Sequence, residues 1–218
     1  KSLAQDNLLS FDEVRRGWQW ELTDIQTVGM TDDVVELVSA TIHRLAPETH
    51  RVLALAACIG NHFDVRLLSA VVEHSEEETV RLLQPALQEG LILPHDSSVG
   101  SYTFLHDRVQ QAAYALLDEQ QRQAMHVRIS QLLLQTCCTT EQDERLFDVV
   151  NHLLAGRDLL NTPAEQAEAA ALLLKAGRKA TFSAAYEAAR EFFCAGIALL
   201  PAHCWHDAYD LTLALYTE

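Results

Sequence analysis

Glycine and proline are scarce in this chain, at 8 and 5 of 218 residues. So few turn-formers argue against an all-β fold, and abundant Ala and Leu favour helices. Long hydrophobic runs are missing as well. None approaches the roughly 20 residues that cross a bilayer, yet 49 % of the residues are hydrophobic and a sizeable core can be buried. Positive charge is also short: 16 Lys and Arg face 31 Asp and Glu, a net charge of -15. That balance repels nucleic acid and anionic membranes in bulk, so neither is expected as a partner. The five cysteines, Cys58, Cys137, Cys138, Cys194 and Cys204, are odd in number and lack disulfide-like spacing. With no visible signal peptide or lipidation motif, a reducing cytoplasm is the expected compartment. Cys58 and Cys194 fall in apolar helical patterns and are expected as small core residues. The chain starts at Lys1 rather than Met and ends in a helical pattern, so it reads as an excerpt of something longer.

What is present is mostly helical periodicity. Leu8 to Asp12 and Trp18 to Leu22 are expected to pair as a short hairpin, with Trp18 and Trp20 burying against a further domain or inside the hairpin itself. Helices follow from Thr31: Val34, Leu37, Val38 and Ile42, then Val52, Leu55, Ala56 and Ile59 up to Gly60, then Val65, Leu68 and Val72. Ser75 with Glu78 has capping-box spacing, and Pro85 is expected to kink or break the helix they open. The period then changes to two. Leu91 to Leu93 and Tyr102 to Leu105 read as strands around the polar turn His95 to Gly100. Small helices, a two-stranded wing and a further helix follow the order of a winged-helix domain. From Asp118 onward only helical signals remain, with capping boxes at Asp118–Gln121 and Thr162–Glu165 and a partner helix over Ala184 to Leu200. Gly177, Ala189, Phe193, Gly196 and Pro201 fall near the small, aromatic and proline positions of a tetratricopeptide repeat. The expected fold is therefore mainly α. Residues 1–30 carry the short hairpin, 31–117 form a winged-helix domain with a β-hairpin wing, and 118–218 begin a TPR-like antiparallel helical array.

The junction at Ser101 to Leu117 carries the most chemistry. A strand through Phe104 meets a helix opening near Asp107, with Gln110 three residues on, so Asp107 is the expected cap. His106 sits between them, beside helix amides that favour an anion. The cluster His203, Cys204 and His206 matches no familiar metal site, and none is expected. Cys137–Cys138 is an adjacent pair at a helix end and reads as incidental, although an exposed pair can oxidise in vitro.

The string Phe104-Leu105-His106-Asp107-Arg108-Val109-Gln110-Gln111-Ala112-Ala113-Tyr114 resembles a segment of large bacterial signalling proteins. These join a Ser/Thr-kinase-like domain, an AAA-type ATPase module, sensor domains and a histidine kinase. Asp33 to Leu37, Leu55 to Asp64, Arg145 to Leu153 and Asp210 to Leu215 fit the same family in the same order. The resemblance implies a winged helix and the start of a helical arm, directly after an ATPase core of the STAND class. Leu105-His106-Asp107 matches that class's Met-His-Asp motif, with Leu for Met. It implies His106 as a sensor of bound ADP, with Asp107 as its structural companion; Arg108 beside it is open to two roles, holding the phosphate or making a surface ion pair. It also implies ADP or ATP with Mg in the full-length protein. The partners would be an upstream ATPase domain, downstream sensor and kinase domains, and a protein on the helical arm.

No G-x-x-x-x-G-K-[ST] and no kinase motif occurs in these residues, so no catalytic residue is expected here. Two further classes stay open. One is a winged-helix transcription regulator, disfavoured because the helix opening Ser75-Glu76-Glu77-Glu78 carries Arg81 as its only basic residue. The other is a structural interaction module in which His106 has no special role.

Overall fold

The computed structural model describes residues 10–12, 17–19, 40–95, 100–136 and 145–218. Strands β1 (Ser10–Asp12) and β2 (Gly17–Gln19) pair antiparallel with Phe11 opposite Trp18, as the hairpin pattern requires. The burial expected of Trp18 and Trp20, and the helix start at Thr31, lie outside the described residues. Residues 40–43 are helical, and Ile42 enters the core.

The organising element is α1 (Pro47–Ile59). Pro47 takes the first helical position, and everything from Val52 to Cys58 is buried, so this helix is wrapped on all sides. It is followed by β3 (His62–Asp64), which the sequence pattern did not predict, because three residues between two helices show no alternation. Asp64 then caps α2 (Val65–Val72) by accepting from the Arg66 amide at 2.7 Å. Ser75 caps α3 (Glu76–Gln88), accepting from the Glu78 amide at 3.2 Å. The break expected at Pro85 does not occur. Pro85 lies in the last turn, where its missing donor costs one helical bond and the helix continues to Gln88. Gly90 ends it in the left-handed region at φ 70, with the Leu91 amide bonded back to Ala86 O at 2.9 Å.

Strands β4 (Ile92–Pro94) and β5 (Ser101–Phe104) form the expected hairpin. β3 adds on the other side of β5, giving an antiparallel sheet of order β3-β5-β4. Helix α4 (Asp107–Tyr114) returns onto α1, where Gln110 Nε2 donates to Ala57 O at 3.1 Å. The helical remainder comprises α5 (Glu119–Thr136), α6 (Leu146–Ala155), a 3-10 turn at Arg157–Leu159, α7 (Pro163–Phe182), α8 (Tyr186–Leu199), α9 (Cys204–Asp207) and α10 (Tyr209–Thr217). Of the predicted capping boxes, those at Asp118–Gln121 and Thr162–Glu165 close reciprocally. Gln121 N donates to Asp118 Oδ1 at 2.7 Å and Asp118 N to Gln121 Oε1 at 3.1 Å. Thr162 and Glu165 exchange the equivalent pair.

Helix α8 starts at Tyr186, not Ala184. Ala184 adopts φ 58 and closes α7, with the Ala185 amide bonded to Ala180 O at 2.9 Å and the Ala184 amide to Thr181 O at 3.0 Å. Along α8, Phe193 packs on Gly177 so closely that a Cβ there would lie 2.2 Å from the Phe193 ring. Cys58 is buried as expected. Cys194 is exposed, because the apolar face of α8 is set by Phe192 and Phe193 and turns Cys194 outward.

Two cores result. The first gathers Leu53, Leu68, Leu83, Ile92, Phe104 and Val109 and runs on without interruption to Ile129 and Leu133 of α5 and Val149 of α6. The second contains Leu146, Val150, Leu173, Phe193 and Leu215. Helix α6 serves both, since adjacent residues such as Val149 and Val150 point about 100° apart on a helix. The chain is mainly helical, and no helix among the described residues is long and apolar enough to cross a membrane.

Candidate functional site

The predicted junction forms, with its roles redistributed. Phe104 ends β5 inside the core, and the Leu105 amide still bonds Leu91 O at 3.0 Å. The chain then leaves the protein: Leu105 is 57 % exposed, and His106, Asp107 and Arg108 are exposed with it. His106 is extended at φ -155, ψ 149, and its Nδ1 accepts the Arg108 amide at 3.1 Å. The cap is therefore His106 and not Asp107. Asp107 is the first helical residue, where its carboxylate faces the positive end of the helix dipole. The imidazole reaches the amide two residues on, much as an Asn or Asp cap does.

This arrangement fixes the histidine chemistry. Nδ1 is an acceptor, so the neutral ring carries its proton on Nε2, directed away from the helix. The His106 carbonyl also takes the Val109 and Gln110 amides, at 2.8 and 3.3 Å. The anion site expected at the helix amides is thus largely filled by His106 itself, and the exposed donor is Nε2–H. Arg108 turns along the helix, donating to Gln111 Oε1 at 3.3 Å, and borders a recess of about 480 Å³ with His43 and Leu116.

A second polar constellation lies inside the protein. Tyr114, at the far end of α4, shares a hydrogen bond of 3.0 Å with His126 Nε2, and His126 Nδ1 meets His152 Nδ1 at 2.9 Å. The chain Tyr114–His126–His152 crosses from α4 through α5 to α6. The two imidazoles are inclined by 28° with ring centroids 5.1 Å apart, so they meet edge to edge through their Nδ1 atoms. His126 is 8 % exposed. Burial holds the His152 pKa down at about 4, with the neighbouring His126 adding to the effect. Burial also lowers His126, against the pull of Glu119. Arg122 covers the Tyr114 ring at 5.0 Å and pairs with Glu119 at 2.8 Å. Cys58, close by on α1, is pushed up to about 12 by burial, so its thiol is inert. Sequence reasoning missed this network. The available signal was a histidine on each apolar stripe, His126 three residues before Ile129 and His152 three after Val149.

Near the chain end, His206 Nδ1 pairs with Asp207 Oδ1 at 2.9 Å, and among the described residues no group of three or more His, Cys, Asp or Glu is placed to hold a metal ion. Cys137 and Cys138 lie outside the described residues.

Over its whole length the chain is 24 % identical to hybrid signal transduction histidine kinase G of Dictyostelium discoideum, and it spans 8 % of that protein. The chain is distantly similar to part of a signalling protein. No family model matches it, and no solved structure does.

Proposed function

We propose that this chain is a non-catalytic regulatory segment of a cytoplasmic signalling protein that joins a STAND-type AAA ATPase to histidine or Ser/Thr kinase domains. In this reading residues 31–117 are a winged helix whose wing is the β4–β5 hairpin, and residues 118–218 open a TPR-like arm. Residues 1–30 close an upstream ATPase lid. The winged helix reads the nucleotide, ADP or ATP with Mg, held by that ATPase core. The arm receives a protein partner or relays to downstream sensor and kinase domains. The distant likeness to a hybrid histidine kinase supports a signalling role. The packing of Phe193 on Gly177 supports a repeat-like helix pair. The pairing of Arg81 with Glu78 at 3.0 Å leaves α3 poorly suited to a DNA backbone.

One observation carries the sensor role. The motif Leu105-His106-Asp107-Arg108 is presented outward at a strand–helix junction, with the His106 ring oriented by its Nδ1 bond to the Arg108 amide and Nε2–H as its open donor. A diphosphate oxygen is the acceptor that such a donor suits. Coupling then follows if the nucleotide touches His106 in one conformational state and not in the other.

The test is ADP titration calorimetry on a longer chain that includes the upstream ATPase region, comparing wild type, His106→Ala and His106→Asn. Asn retains a good helix cap but lacks the imidazole donor. At least ten-fold weaker ADP binding in both variants, with raised basal signalling, is expected. Unchanged affinity in His106→Asn would reduce His106 to a cap and end the sensor reading.

A further inference from the structure

A cleft of about 590 Å³ runs along β3, from His95 and Ser101 to Arg145, just before α6, and Asp148 and His152 along it. Three independent features converge in it. The first is a free sheet edge. Phe104 N bonds Asn61 O at 3.0 Å and Val65 N bonds Gly100 O at 2.9 Å. Phe63 opposite Tyr102 is therefore the hydrogen-bonded pair between them, and the N–H and C=O of His62 point away from β5. β3 is the outer strand of the sheet, so among the described residues its outward groups have no neighbouring strand, and β3 itself lines the cleft. The second is Asn61, which lines the cleft and whose buried Oδ1 accepts no hydrogen bond among the described residues. A buried acceptor left open is costly, and here a donor entering the cleft would satisfy it. The third is Arg145 on the opposite wall, a cation that makes no ion pair or side-chain hydrogen bond among the described residues.

We propose that this cleft takes an extended peptide ending in a free carboxylate, which adds to the edge of β3 as a fourth strand. Backbone pairing with His62 supplies the main attraction, as in other strand-addition sites. The Asn61 carboxamide accepts a peptide N–H, and the Arg145 guanidinium receives the terminal carboxylate. Asp148, one helical turn beyond Arg145, repels a second negative charge and favours a peptide with one carboxylate over an acidic run. The three residues of β3 span about 10 Å, enough to pair with about three peptide residues. The site uses no residue of α4 and stands apart from the nucleotide-sensing reading.

The test is nuclear magnetic resonance on the labelled 218-residue chain, using a pool of random hexapeptides with free C-terminal carboxylates and the same pool amidated. In the free chain the His62 amide should exchange rapidly while that of Phe63 is protected. The carboxylate pool should slow His62 exchange at least ten-fold and shift the Asn61 side-chain signals, and amidation should weaken binding at least five-fold. His62→Pro removes only an outward amide, a position where edge strands accept proline, and should abolish binding. Arg145→Gln should leave the fold intact and erase the difference between the two pools. Should His62→Pro fail to fold, Arg145→Gln and the exchange rate of His62 decide the matter. A His62 amide already protected without peptide, no response to the pool, or binding indifferent to amidation and to Arg145→Gln would each overturn the proposal.

Discussion

The buried pair His126–His152 makes the stability of this chain depend on pH in a window that can be worked out. His152 moves from an ordinary 6.5 to about 4 in the folded protein. Between those values the unfolded chain binds a proton that the folded chain refuses. The contribution is therefore complete above pH 6.5, declines as pH falls, and is gone below about pH 4. A displacement of that size corresponds to about 3 kcal/mol in total, of which about 2 kcal/mol is lost by pH 5. The cause is geometric: an imidazolium at His152 would be desolvated and would face the His126 ring across a 2.9 Å hydrogen bond. Urea unfolding at pH 7.5 and pH 5.0 measures the loss, provided the slope with denaturant stays constant. His152→Gln keeps a hydrogen-bonding group near His126 and removes the titration. Its stability should fall between the two pH values by about 2 kcal/mol less than wild type. His126, also held down by burial, titrates in both proteins and largely cancels. An equal loss in the variant, or imidazole resonances showing His152 titrating near 6.5, would refute the reasoning.

Two further changes test the packing of the arm. Gly177→Ala places a Cβ 2.2 Å from the Phe193 ring, and overpacking of this kind should cost about 2 kcal/mol, seen as a lower thermal midpoint of the arm. Ala184→Gly removes the penalty of a left-handed alanine at φ 58, offset by the freer unfolded chain, and should stabilise by about 0.5 kcal/mol in urea unfolding.

Much of the architecture was legible in the chain because its signals are local. The boxes at Asp118–Gln121 and Thr162–Glu165 are spacings of three, and they closed as read. The β4–β5 hairpin announced itself by alternation and a polar turn. Short-range chemistry also placed His106 at a strand–helix junction, but not the identity of the cap. Asp107 is the usual residue type for that role, and only the extended backbone at residue 106 let the imidazole reach the Arg108 amide first. Pro85 was misjudged although the stop at Gly90 was legible, because a proline in the last turn forfeits one helical bond and does not break the helix.

What tertiary structure alone decided is everything that depends on distant pairs. β3 exists because β5, forty residues later, supplies its partner, and a three-residue segment has no pattern of its own. Cys194 faces outward because Phe193 found Gly177 across the helix pair, which helical periodicity by itself does not specify. The His126–His152 contact and the cleft along β3 arise where α5 and α6 close over the sheet. The sequence determined which segments are helices, where most begin, and which residues could cap them, since those energies act within one turn of chain. Which faces meet, which histidines lose their water and which strand edge stays open are set by packing between segments far apart, and appear only in three dimensions.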